Sequence, residues 1–220
     1  MIPYVLPFAL YLGLVQVLPA FPSDTYAWLY PTGVLLLGAV TAGLLWGRCI
    51  LRPHRRVGPG VVVGLVGIAL WIGLSRLNLE QQLAPSLPSW LRPSPRTAFD
   101  PGSIAGPAAR RGFIALRLAG LALLVPVAEE LFWRGFLSRW LVSPDWRSEP
   151  LGRFTPLSFA GVTLLFTLVH PEWLAAAVYC TLLNGLLAWT RDLWNCVVAH
   201  GVSNLVLGTF VLSTQTWELW

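Results

Sequence analysis

The chain has 220 residues, of which 55% are hydrophobic and only 11% charged, and its mean hydropathy is +0.64. These values exclude an ordinary soluble domain and predict a membrane protein. The net charge of +5 comes from fifteen basic residues, all arginine, gathered in a few interhelical loops, so a nucleic-acid-binding face is also excluded.

Apolar runs recur at roughly the length a helix needs to cross about 30 Å of hydrocarbon. They predict an all-α polytopic transmembrane helical bundle of about seven spans, in one integral membrane domain over residues 1–220. The spans fall near residues 2–21, 31–50, 58–77, 112–141, 156–171, 173–190 and 193–213. The first run, from Ile2 to Phe21, has neither a basic leading region nor a small-residue cleavage site, so it is expected to be a retained helix. Residues 1–77 hold three plain spans. Residues 78–111 form a Pro-rich, polar connector, and residues 112–213 form a helical core in which polar groups concentrate.

Arginine bias sets the expected orientation. Arg48, Arg52, Arg55 and Arg56 cluster between the second and third spans, and placing them in the cytoplasm puts eight loop arginines inside against four outside. The N-terminus is then cytoplasmic. Many tryptophans, including Trp28, Trp46, Trp140, Trp173 and Trp194, fall near span ends, as interfacial aromatics do. Cys49, Cys180 and Cys196 show no CxxC spacing and are expected to be buried free thiols.

The fourth span contains VPVAEELFWRGFL, Val125 to Leu137, with three charges in six residues. A charge at mid-helix costs roughly 2.5 to 3.5 kcal/mol on insertion scales, so the three need a reason. Glu130 and Arg134 stand at i and i+4 with the acid first, which suits a same-face ion pair. Glu129 lies about 100° around the helix from Glu130 and has no local partner. Pro126, one turn earlier, favours a kink or a freed carbonyl near the acid. An acid poorly solvated beside a like charge is suited to act as a general base near neutral pH. The structural alternative is a buried charge network that only holds helices together.

Two histidines also lie in apolar runs: Phe166 with His170 in FTLVH, and His200 with Asn204 in HGVSN. The i, i+4 spacing puts His200 and Asn204 on one helix face, where imidazole and carboxamide can donate to one oxyanion. Simple rise counting sets His170 at the far end of the fifth span, unless Pro171 breaks the helix there. His54, in an arginine-rich loop, reads as solvated. Thr181, Asn184 and Thr190 read as interhelical hydrogen-bond groups, and Arg117 as a side chain that snorkels outward.

In order, the motifs are EExxxR (Glu129, Glu130, Arg134), FxxxH (Phe166, His170) and HxxxN (His200, Asn204). The set resembles the CAAX prenyl protease and bacteriocin-processing family of intramembrane proteases, also called ABI or Rce1-like, over about residues 112–213. The wording VPVAEELFWRGFLSRW is most similar to a bacterial CAAX prenyl protease-related subgroup associated with exosortase systems. The resemblance implies a helical bundle with a cavity opening to the cytoplasm, in the bacterial inner membrane, and an endopeptidase acting on a membrane-proximal or lipid-modified peptide or protein. Glu129 would activate water, His170 would hold it, His200 and Asn204 would stabilise the oxyanion, Glu130 and Arg134 would brace the site, and Phe166 would pack. No metal is expected. Zinc on Glu, His and His is the rival, but the spacing is not HExxH, so helix geometry does not pre-assemble such ligands. The alternatives outside this class are a non-catalytic immunity or assembly factor and a small proton-coupled transporter.

Overall fold

The computed structural model describes residues 1–48, 50–51, 56–89, 92 and 98–219. Among these the protein is helical throughout: α1 (Ile2–Val17), α2 (Ser23–Leu45), α3 (Gly58–Ser75), short α4 (Leu79–Leu83), the long compound α5 (Pro107–Trp140), α6 (Pro156–Leu168), α7 (Trp173–Thr190) and α8 (Leu193–Thr214). Helices are what apolar sequence must form in lipid, because only they satisfy every backbone group within the segment. Six helices are long and apolar enough to cross a membrane, and α6 is a shorter apolar helix. Cys49, Arg52, His54, Arg55 and Arg96 lie outside the described residues.

Several boundaries move from their sequence expectations. The second span begins at Ser23, not near residue 31, because Pro31 is carried inside the helix and only removes the donor to the Ala27 carbonyl. The fourth begins at Pro107, so part of the connector is helix. The fifth stops at Leu168, and at about 1.5 Å per residue its 13 residues cover about 20 Å, short of the hydrocarbon thickness. The start of the connector also packs on the bundle: Glu80 of α4 is buried and accepts from the Leu174 N–H at the start of α7, at 3.1 Å.

The main core lies where α5, α6, α7 and α8 meet, around Trp133, Val162, Phe166, Leu183 and Ala199, with Phe8 of α1 closing one side. A second cluster joins α1, α2 and α5 through Leu18, Tyr30, Val34 and Phe113. Helix α3 packs tightly on α8 through small residues: a β-carbon at Gly60 or Gly64 would stand 2.5 Å from the carbonyl oxygen of Asn195 or Ala199. Asn195 Oδ1 locks the contact by accepting the Gly60 N–H at 3.1 Å. Close backbone approach of this kind is how helices associate in lipid, where no hydrophobic force separates lipid from leucine. Leu35, Leu36, Val62, Leu164 and Trp189 are exposed on the outside of the bundle, as a lipid-facing surface requires.

Candidate active site

Helix α5 is irregular where the charges lie. Two π-type segments, Gly120–Leu124 and Leu131–Leu137, flank the α-helical Val125–Glu130. The first has a cause in the sequence. The Val125 N–H reaches back to the Gly120 carbonyl, and Pro126 supplies no N–H for the next one, so the Leu121 carbonyl loses its intrahelical donor. Asn204 Nδ2 fills that vacancy at 2.9 Å. Next to it, Gly201 lets α8 close on α5: a β-carbon there would sit 2.6 Å from the Ala122 oxygen. The freed carbonyl expected beside Pro126 therefore ties α5 to the helix that carries His200 and Asn204.

Glu130 and Arg134 form the ion pair the spacing predicts, at 3.1 Å, with both side chains fully buried. The same Glu130 Oε1 accepts from His200 Nδ1 at 2.8 Å. Arg134 also reaches Asn184 Oδ1 at 3.3 Å and Cys180 Sγ at 3.1 Å, and its guanidinium lies 5.1 Å from the Phe166 ring centroid. Thus α5, α7 and α8 are joined by one charged network. Because a carboxylate holds Nδ1, that nitrogen carries a proton, and Nε2 of His200 is left for other chemistry.

Glu129 is treated differently. It is 5% exposed, makes no hydrogen bond among the described residues, and its Oε2 is buried without a partner. Glu129 and His200 both act electrostatically on His170, and Glu129 acts on the Tyr11 phenol of α1. His170 sits beyond the end of α6, in the bend before α7, which resolves the rise-counting problem: the helix stops and the ring folds back. Its Nδ1 donates to the Phe166 carbonyl at 2.7 Å, and its ring stacks on Phe166 with centroids 4.3 Å apart. The Trp71 ring meets it edge-on at 5.8 Å. His170 is therefore fixed in position, and among the described residues its Nε2 makes no hydrogen bond.

Two expectations need correction. Arg117 does not snorkel outward: it is 7% exposed, donates to the Tyr26 hydroxyl at 2.7 Å and lies 4.8 Å from the Tyr30 ring centroid. Aromatic faces and a phenol replace the headgroup region it was expected to seek. Thr190 bonds within its own helix to the Leu186 carbonyl, and Thr181 is exposed, whereas Asn184 does bridge helices, to Thr163 and Arg134. Cys180 and Cys196 are buried free thiols as expected.

The sequence reading missed Tyr179 and Ser203, whose hydroxyls share a 2.7 Å bond, with the Tyr179 ring edge-on to His200. Ser203 lies inside the HGVSN motif. Its position beside Asn204 was the available signal.

Two cavities flank these groups. One, of about 580 Å³, lies between the ends of α3 and α8, α4 and the bend that carries His170, with Ile72, Pro171 and Glu172 in its wall. The other, of about 360 Å³, is lined by Tyr11, Tyr26, Tyr30, Phe99, Arg117 and Leu121. The first adjoins the site at Trp71–Ile72 and His170–Pro171, the second at Tyr11 and Leu121. Among the described residues no three His, Cys, Asp or Glu side chains converge as a metal-ligand set.

The family described as Type II CAAX prenyl endopeptidase Rce1-like matches residues 111–206. The matched stretch includes Glu129, Glu130, Arg134, Phe166, His170, His200 and Asn204. No curated protein and no solved structure matches the chain.

Proposed function

Taking residues 111–206 as an Rce1-like core, we propose that the protein is a glutamate-dependent endopeptidase that hydrolyses a peptide bond of a membrane-proximal or lipid-modified substrate. The observation that carries this reading is the inequality of the two adjacent acids. Glu130 is bound by Arg134 and His200, while Glu129 is buried, makes no hydrogen bond among the described residues, and lies in the field of His170. Both acids leave a buried Oε2 without a partner, but Glu130 is neutralised through Oε1 by Arg134 and His200, whereas neither oxygen of Glu129 makes a hydrogen bond among the described residues.

In the proposed reaction a water held between Glu129 and His170 Nε2 attacks the scissile carbonyl carbon. Glu129 takes the proton, the carbonyl becomes an oxyanion, and the proton passes to the leaving nitrogen as the C–N bond breaks. His200 Nε2 and the second Asn204 amide hydrogen face the oxyanion, since Nδ1 and the first amide hydrogen are occupied by Glu130 and Leu121. For His200 to donate from Nε2, the ring must hold protons on both nitrogens. Glu129, Glu130, Arg134 and His200 then sum to zero charge, which suits a buried site. No step calls for a metal. The wording around Glu129 supports placement beside the exosortase-associated bacterial subgroup, in the inner membrane.

Both cavities lie at the end of the bundle opposite Arg48 and Arg56, since α3 runs from the arginine loop at Gly58 to the first cavity at Ser75. Arginine bias therefore points the cavities outward, whereas the family resemblance implies a cytoplasmic opening. We follow the arginine bias, which rests on this chain's own charges.

The experiment is cleavage of a lipidated peptide library by the purified protein in nanodiscs. Glu129→Ala and His170→Ala are each expected to stop cleavage while insertion and thermal melting persist. Normal processing by both variants would sink the assignment. Proton-coupled uptake in proteoliposomes that Glu129→Gln abolishes, without any cleavage, would favour the transporter instead.

A further inference from the structure

We propose that Trp71, on a helix outside the matched stretch, is a positioning residue that sets where the His170 ring stands relative to His200. The inference rests on the protease reading for the role of the two histidines, while the placement itself is argued from the rings.

His170 belongs to the bend after α6, and its closest contacts are local. The Nδ1 bond at 2.7 Å and the stacked ring at 4.3 Å both come from Phe166, four residues earlier. They fix the imidazole to the end of its own helix. They do not fix it to α8, which carries His200, and among the described residues no ring contact joins the two imidazoles. A reaction that uses both rings at once loses about a hundredfold for a misplacement of about 1 Å, so the position of α8 must be carried to His170 by another element.

Helix α3 is that element. It is clamped to α8, the Gly60 N–H donating to Asn195 Oδ1 at 3.1 Å and the Gly64 carbonyl lying 3.0 Å from Ser203 Oγ. Ser203 spends its one hydrogen on the Gly64 or Ala199 carbonyl, so the Tyr179 hydroxyl is the donor in their 2.7 Å bond. The Tyr179 ring lies against Gly67 of α3, where it leaves no room for a β-carbon. Trp71, one turn further along, meets Tyr179 at 6.0 Å and His170 at 5.8 Å, with interplanar angles of 83° and 73°. Tyr179 in turn is edge-on to His200 at 5.9 Å. Four rings, His170, Trp71, Tyr179 and His200, thus stand in series in the T-shaped arrangement aromatic pairs prefer, and each limits its neighbour's rotation. A tryptophan near a span end ordinarily faces the interface, as the exposed Trp28, Trp46 and Trp189 do. Trp71 instead packs on the main core.

The test replaces Trp71 with Leu, with Met and with Phe, each protein in nanodiscs. With isotope-labelled histidine, the nitrogen NMR signal of the His170 Nδ1–H, assigned by its loss in His170→Gln, is expected in the parent. It should be lost to solvent exchange in Trp71→Leu and Trp71→Met, and retained in Trp71→Phe, which keeps a ring beside the imidazole. With a library peptide that the parent cleaves, kcat should fall about tenfold to a hundredfold in the Leu and Met variants at unchanged KM, and recover most of that loss in Trp71→Phe. A tryptophan that only filled space would lower the melting temperature and leave both readouts unmoved. An unaltered His170 signal in either the Leu or the Met variant, a loss carried by KM, or a kcat no better in Trp71→Phe than in Trp71→Leu would each overturn the proposal. If the parent cleaves no peptide yet the His170 signal depends on Trp71 in this way, the protease reading fails and the placement of the ring stands.

Discussion

Neutralising either of two neighbouring glutamates should have opposite consequences for stability. Glu130 is fully buried between Arg134 at 3.1 Å and His200 at 2.8 Å, so Glu130→Gln leaves the Arg134 guanidinium, itself fully buried, without its counter-ion. Breaking a buried pair from one side costs about 3 to 5 kcal/mol. Glu129 has no such partner, and Glu129→Met removes an unsatisfied buried acceptor whose presence costs about 1 to 3 kcal/mol. Unfolding in mixed bicelles should therefore show Glu130→Gln destabilised by several kcal/mol and Glu129→Met unchanged or more stable. Cleavage should behave otherwise: Glu129→Met falls about 10²- to 10⁴-fold as a lost general base, despite its intact fold. A stabilised, inactive variant is the signature of an active-site residue kept at the expense of stability. If Glu129→Met loses as much stability as Glu130→Gln, Glu129 is a structural charge and the inequality on which the mechanism stands is not real.

Asn204→Ala should lower turnover about 10²- to 10³-fold as a lost oxyanion donor, and should also destabilise the bundle by about 1 to 3 kcal/mol by stranding the Leu121 carbonyl; unfolding and single-turnover cleavage measure the two separately. Gly64→Leu should force α3 off α8, since even a β-carbon meets the Ala199 oxygen at 2.5 Å, and the purified variant should melt well below the parent; an unchanged melting curve would contradict the close approach. A strong chelator should leave cleavage unaffected, and loss of activity restored by zinc would replace the glutamate mechanism with a metal one. In a Cys49→Ser background, Gln81→Cys at the cavity rim should react with a membrane-impermeant maleimide added from the outside; labelling only after lysis would reverse the orientation.

The bundle of six spans and one shorter apolar helix, the Glu130–Arg134 pair and the isolation of Glu129 were legible in the chain because each follows from local rules. Hydrophobic length reports spans, and the 3.6-residue period reports which side chains share a face. Those rules also placed His200 and Asn204 together, but they made both free donors. Only packing revealed that each spends one hydrogen on α5, His200 on Glu130 and Asn204 on the carbonyl that Pro126 leaves open. The proline was visible in the sequence. Which neighbour would fill its vacancy was not.

Sequence alone thus determined that charge would be buried in a membrane helix, and which acid would lack a neighbour one turn away. Tertiary structure decided everything that depends on chain segments far apart: the halt of α6 before His170, the aromatic cage that turns Arg117 inward, and the docking of Glu80 from the connector onto α7. The physical reason is the bilayer itself. With no water to satisfy a polar group, each one must find its partner on another helix, and helical periodicity carries no information about which helix that will be.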